Sequence, residues 1–150
     1  MASSSEGPNG GERIVVAFDG SPPSVYAMRL ACERAKKLSG TVCAVYVVEI
    51  KRSLPLDVET DAEATKGKAV LAQAQGLAQE IDCLGEVALR RARGVGQGIV
   101  EEARARNAQL IVLGIGYKEK LGSFDLGEAA PYVLKKAPCW VWLCRQPQPQ

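Results

Sequence analysis

Residues 110–144 read LIVLG-IGYKEKLGSFDL-GEAAPYVLKKAP-CWVWLC, and this stretch decides the fold. Leu110–Leu113 is a short apolar run rich in β-branched residues that stops at Gly114, as a buried strand running into a turn would. In the segment 127–136, Val133 and Leu134 follow Ala129 and Ala130 at helical spacing. Pro131 fits only near the start of that helix, where its missing N–H does no harm. Lys135 and Lys136 close it, as the negative end of a helix dipole favours. Pro138 then stops the helix and CWVWLC begins a last strand. Strand, glycine loop, helix and strand make a βαβ unit, and the loop of such a unit often holds a phosphate.

Working outward, RIVVAF (13–18) is a nearly continuous apolar run, the pattern of a parallel strand buried on both faces. It ends at Asp19-Gly20-Ser21, with Ser21 as a candidate helix cap and Pro22 and Pro23 in the first turn. The helix that follows, to about Leu38, carries Val25, Met28, Ala31, Cys32, Ala35 and Leu38 on one face. TVCAVYVV (41–48) is a second buried strand. A second helix is expected over about 62–82, with Gly67 and Gly76 weakening it. EVALRRA (86–92) is a less apolar strand, nearer an edge. Gly94, Gly96 and Gly98 lead into a third helix over 97–107 whose core face is Ile99, Val100 and Ala103. Strands and helices thus alternate from end to end, which argues for one parallel sheet with helices on both faces. Residues 1–12 and 145–150 read as disordered tails around a single domain, 13–144.

The chain has 150 residues and a formal charge of +2, enough for one real core and too little charge to argue for nucleic acid. No apolar stretch is long enough to span a bilayer, and MASSSEGPNGGE has no hydrophobic signal core. A cytoplasmic location without direct membrane insertion is the expectation. The five cysteines lack CxxC spacing and suit free thiols in a reducing compartment. The chain has no histidine, which removes Ser–His and Cys–His catalysis and most zinc sites within one chain.

Several residues invite a functional reading. Loop 114–128, with Lys118 and Lys120 nearby, is equally an anion cradle or a solvated connection. Asp19, at the carboxyl end of the first strand, can hold a base, a ribose or a metal; it is also an ordinary Asp-Gly turn. Gly94, Gly96 and Gly98 do not make GxGxxG, so close strand-to-helix packing explains them better than a dinucleotide fingerprint. Cys32 and Cys43 fall on core faces, as small hydrophobes do. Trp140 and Trp142 lie on one face of the last strand, Val141 and Leu143 on the other. A terminal strand is commonly an exposed edge, so this pair of rings suggests an interface.

RIVVAFDGS with its long first helix, AVYVVEI, AQLIVLG and the ending VLKKAPCWVWL together resemble the universal stress protein family (UspA-like domains) over about residues 13–144. The resemblance implies a three-layer α/β/α fold with a five-stranded parallel sheet, as in adenine nucleotide alpha hydrolase-like proteins. Members that bind ATP carry Gly, two residues, Gly, nine residues, Gly and then Ser or Thr after the fourth strand. Gly114 and Gly127 match the first and third positions; Tyr117 and Glu128 replace the second glycine and the Ser or Thr. Asp19 matches the base- or ribose-side aspartate, with Phe18 and Gly20 beside it, and Val47 matches a position whose backbone meets adenine. Tyr117 obstructs close backbone approach. Glu128 satisfies the positive helix end itself and sets like charge against a triphosphate, at ~1 to 4 kcal/mol for one contact near 4 Å. Lys118, Lys120 and Gly116 leave room for a shifted mode.

The resemblance therefore implies a regulatory domain that binds ATP or another adenine nucleotide reversibly, through Phe18, Asp19, Gly20, Val47, Gly114, Gly116, Lys118, Gly127 and Glu128, and signals through dimer or partner contacts. The alternative is a dimerisation or interaction module without ATP, such as a stress-protein scaffold or a regulatory domain associated with a transporter or kinase. In either case Trp140, Val141, Trp142 and Leu143 would form a homodimer through the last strand. An enzyme, such as a weak ATPase, ranks last, because no base, metal cluster or nucleophile is assembled.

Overall fold

The runs read as doubly buried strands become the inner strands of one parallel sheet. The computed structural model describes residues 11–58, 61–118, 123–124, 127–145 and 147, and of 117–118 and 123–124 the backbone. In chain order the elements are β1 (Arg13–Ala17), α1 (Pro22–Leu38), β2 (Thr41–Glu49), α2 (Asp61–Ile81), β3 (Leu84–Ala92), α3 (Val95–Ala105), β4 (Leu110–Ile115), β5 (Tyr117–Lys118), β6 (Ser123–Phe124), α4 (Ala129–Lys136) and β7 (Trp140–Arg145). Five strands pair in the order β3-β2-β1-β4-β7, all parallel. The short strands β5 and β6 form a separate antiparallel pair.

Alternation along each strand divides the core in two. Ile14, Val16 and Phe18 pack with Ala27, Met28, Ala31 and Cys32 of α1 and Leu71, Ala74 and Ala78 of α2. Val15, Ile111 and Leu113 pack with Ile99, Val100 and Ala103 of α3 and Ala130 and Val133 of α4. Helices on both faces of one sheet give the three-layer α/β/α fold.

Several boundaries move for physical reasons. Gly11 and Glu12 belong to the fold rather than to a tail. The Glu12 carbonyl accepts the Thr41 N–H at 2.9 Å, and its carboxylate pairs with Arg34. Arg145 is the last residue of β7. Leu38 was expected on the core face of α1 but is exposed; it is the helix's last residue, and the chain turns away there through Ser39 at φ 56°. Ala27 is buried in the core and Ser24 is buried with it. Gly67 and Gly98 stand where helices press on the sheet. A Cβ on Gly67 would lie 2.7 Å from Tyr46 and Leu89, and one on Gly98 2.8 Å from Val47.

Gly114 was read as the first residue of a loop, but it lies inside β4 and sets the seat of α1. A Cβ there would stand 2.1 Å from the Pro23 carbonyl oxygen and 2.9 Å from the Ser24 nitrogen. Backbone meets backbone at this point, so no rotamer change relieves a side chain. Gly116 is different, since its nearest neighbour would be the Pro23 ring at 3.9 Å.

One charged side chain is buried on the α3 side. Glu102 accepts hydrogen bonds from Nε of Arg90 at 2.9 Å and from Nε of Arg106, which also reaches Glu86 at 2.9 Å. Burial alone would push the Glu102 carboxyl up, but its hydrogen bonds to Arg106 and Arg90 hold it below the ordinary glutamate value.

Two predictions follow from these contacts. Gly114→Ala should destabilise by about 2 kcal/mol, with Gly116→Ala within about 0.5, as measured by urea unfolding. Glu102→Gln should cost on the order of 2 kcal/mol at neutral pH. Because the folded-state value is depressed, this stability is present above the unfolded pKa and disappears as pH falls through the folded one. Parallel urea titrations should therefore show the wild type and Glu102→Gln converging below about pH 4.

Candidate functional site

The strand order places β2 and β3 on one side of β1, and β4 and β7 on the other. The chain's direction of winding reverses between β1 and β4, and in open parallel sheets the crevice beyond the carboxyl ends at such a reversal takes ligands. A cavity of about 420 Å³ occupies this place. Ala17, Phe18 and Asp19 close β1 at its floor, and Leu113, Gly114 and Ile115 close β4. Val45–Val47, Val95, Ile99, Ala129 and Ala130 form much of the remaining wall.

Four residues named from the sequence therefore converge on one cavity: Phe18, Asp19, Val47 and Gly114. Gly20, Gly116, Gly127 and Glu128 are not among its described lining residues. Lys118 has its backbone in β5; its side chain, with Lys120 and Gly122, lies outside the described residues.

Asp19 is an exposed carboxylate held by its own turn. Its Oδ1 accepts the Ser21 N–H at 2.9 Å, an Asx turn. Partial burial pushes its carboxyl up, but hydrogen bonding from Ser21 in the turn outweighs that and leaves it below the usual aspartate value. At neutral pH it is an ionised acceptor, fit for an N–H or hydroxyl of a ligand.

The sheet register supplies a second polar group. The Phe18 N–H donates to the Val45 carbonyl at 2.9 Å, so Val45 turns its backbone groups toward β1. In a parallel ladder alternate residues face the same neighbour. Val47 therefore aims its N–H and C=O to the same side, past the end of β1 at Ala17. One donor and one acceptor two residues beyond the end of the neighbouring strand match the hydrogen-bonding edge of a planar heterocycle, and Phe18, Ile99, Leu113 and Ile115 supply apolar walls for its faces.

The helix ends around the cavity differ in what they offer. Pro22 and Pro23 occupy the first two positions of α1, so its N-terminus lacks the two N–H groups that a phosphate would use there. Ser21 holds the N-cap position as expected, yet its side chain makes no cap hydrogen bond; one usual target, the second-position N–H, does not exist at Pro23. Gly127, at φ +72°, turns the chain into α4, and Glu128 occupies the N-cap.

Sequence reasoning missed Lys66, Ser21 and Ser24 as lining residues. For Lys66 a signal existed: it lies four residues before Val70 on the stripe of α2 read as apolar, hence on the same face one turn earlier. Among the described residues, no group of acidic, cysteine or histidine side chains is arranged to hold a metal ion. Burial pushes the Cys43 thiol up to about 12 and raises Cys32, Cys139 and Cys144 as well, so these thiols are poor nucleophiles at neutral pH. Among the described residues no helix is long and apolar enough to cross a membrane.

Comparison with known proteins agrees with this architecture. A universal stress protein of Methanocaldococcus jannaschii is 31% identical over 144 residues, covering 91% of this chain and 84% of that protein. The solved universal stress protein of Archaeoglobus fulgidus is 26% identical, covers 88% of this chain and 92% of its own, and superposes with a TM-score of 0.70. Another structure of a universal stress protein from that organism, in complex with dAMP, shares the fold at a TM-score of 0.71 and 21% identity, covering 89% of this chain and 96% of its own. The sequence itself matches the universal stress protein family over residues 11–145. With five parallel strands, helices on both faces and a cavity where the winding reverses, the chain belongs to the universal stress protein family.

Proposed function

We propose that the cavity between the ends of β1 and β4 binds an adenine nucleotide reversibly, and that the chain is a regulatory domain whose contacts change with occupancy. The observation that carries this reading is the pairing of the Asp19 carboxylate with the outward backbone groups of Val47 across one cavity of about 420 Å³. A purine edge fits the Val47 donor and acceptor, and ribose hydroxyls fit Asp19. The dAMP complex of the Archaeoglobus fulgidus relative, a protein of the same fold, supports the choice of adenine.

Gly114 supports the reading less than its place in a glycine motif implies, because the contact with Pro23 already requires a glycine there. Glu128 at the N-cap of α4 sets a carboxylate where the family motif has a hydroxyl. A mononucleotide therefore suits the site better than a triphosphate. We read the site as one of binding without turnover, since Asp19 is engaged by the Ser21 N–H and Ser24 by the Ser21 carbonyl, with no nucleophile paired to a base among the described lining residues.

A second reading rests on the sheet edge. β7 is an edge strand, and Trp140 is 80% exposed on it. The Arg34 guanidinium lies over the Trp142 ring, 4.8 Å from its centre, while Val141 and Leu143 pack inward toward α3 and α4. An open edge carrying a large ring favours self-association by strand pairing, so we place the homodimer contact along Trp140–Leu143.

Two measurements test these readings. Calorimetric titration with AMP should give saturable binding that Asp19→Ala weakens by about tenfold, the worth of one charge-assisted hydrogen bond. A flat wild-type titration would overturn it. By sedimentation equilibrium the wild type should be dimeric and Trp140→Glu should weaken the dimer by about 2 kcal/mol or more; a monomeric wild type at high concentration would remove the edge contact.

A further inference from the structure

A nucleotide in this cavity brings a phosphate, and much of what surrounds it is unsuited to that charge. The first turn of α1 has prolines in place of two donors. Asp19 is a carboxylate already engaged by the Ser21 N–H. Ser24 donates its hydroxyl to the Ser21 carbonyl at 2.9 Å. The rest of the described lining is apolar apart from the hydroxyls of Ser21 and Tyr46 and a single cation, Lys66 of α2.

The packing of α2 explains why Lys66 reaches the cavity. Gly67, next to it, lets the helix press onto β2, since a Cβ there would meet the Tyr46 ring at 2.7 Å. Tyr46 is itself a lining residue. One turn further on, Val70 and Gln73 pack against Gly20, where a Cβ would lie 3.4 and 3.3 Å from them. Lys66 is thus one helical turn beyond the point where α2 touches the Asp19-Gly20 turn, on the same flank of the helix. Its side chain is exposed at the cavity mouth, and among the described residues it takes part in no ion pair.

We infer that Lys66 is the phosphate-recognising residue of this cavity, and that through it the site selects a nucleoside monophosphate over the bare nucleoside. The inference rests on the nucleotide reading above. Asp19 and Val47 hold the nucleoside, and the ammonium of Lys66 meets the phosphate from the α2 side of the mouth. A lysine serves here as a point charge on a flexible stem, so arginine replaces it in part. The contact is open to solvent and weakens with salt.

The test is calorimetric titration of adenosine and AMP into the wild type, Lys66→Gln, Lys66→Arg and Lys68→Gln, the last an exposed lysine of the same helix outside the cavity. The wild type should bind AMP about tenfold more tightly than adenosine. Lys66→Gln should bring the two affinities together while leaving adenosine binding unchanged. Lys66→Arg and Lys68→Gln should keep the preference. A Lys66→Gln protein that still prefers AMP overturns the inference, as does a wild type that binds both ligands equally; in both cases the nucleotide reading stands. A wild type that binds neither ligand overturns that reading and this one together.

Discussion

Gly114 has no side chain, and the backbone of α1 stands where one would be. That contact fixes the first helix against the fourth strand across the point where the sheet's winding reverses. Because α1 begins there, Asp19 and Ser21 are held in a tight Asx turn at the cavity floor rather than in a free loop. The β1–β4 ladder beside it brings the ends of both strands into one wall. Glycine at 114 therefore belongs first to the architecture, and the cavity is a consequence of it. A glycine that matches a binding motif in sequence can be required by packing alone.

The helices close on the sheet by the same device elsewhere. Gly67 lets α2 approach β2 and β3, and Gly98 lets α3 approach Val47. Such glycines cost helix propensity, roughly 1 kcal/mol each relative to alanine, and gain close packing of apolar side chains over small ones. The buried Glu102 with Arg90 and Arg106 ties α3 to β3 on the far side, away from the cavity lining. Charge inside the fold is thus neutralised locally, and the cavity keeps one carboxylate and one ammonium among its described lining residues.

Much of the fold was legible in the sequence because parallel strands buried on both faces read as unbroken apolar runs, as RIVVAF and TVCAVYVV do. Strand β3, half buried at an edge, was legible for the opposite reason. What was less legible depended on contacts across the chain. Gly114 could not be assigned to β4 from an apolar run that stops at Leu113, since its burial against Pro23 comes from a segment some ninety residues earlier. Leu38 followed the helical period but lies where the chain leaves the helix. Of the site, Asp19 and Gly114 could be read from their places at the carboxyl ends of two strands, whereas Phe18 and Val47 came with the family resemblance; all four line the cavity. Lys66 was not read, because only the packing of α2 against Tyr46 brings it to the mouth. The pair β5 and β6 was unforeseen, being two residues per strand inside a loop rich in glycine and charge.

Binding at the reversal point is tested most directly by following backbone amide resonances during titration with AMP. Occupation of the cavity between β1 and β4 predicts saturable shifts centred on Phe18, Asp19, Val47 and Gly114, with Trp140 at the β7 edge moving little. Saturable shifts centred elsewhere, or none with AMP at about 1 mM, a concentration that detects binding as weak as ~4 kcal/mol, would contradict it.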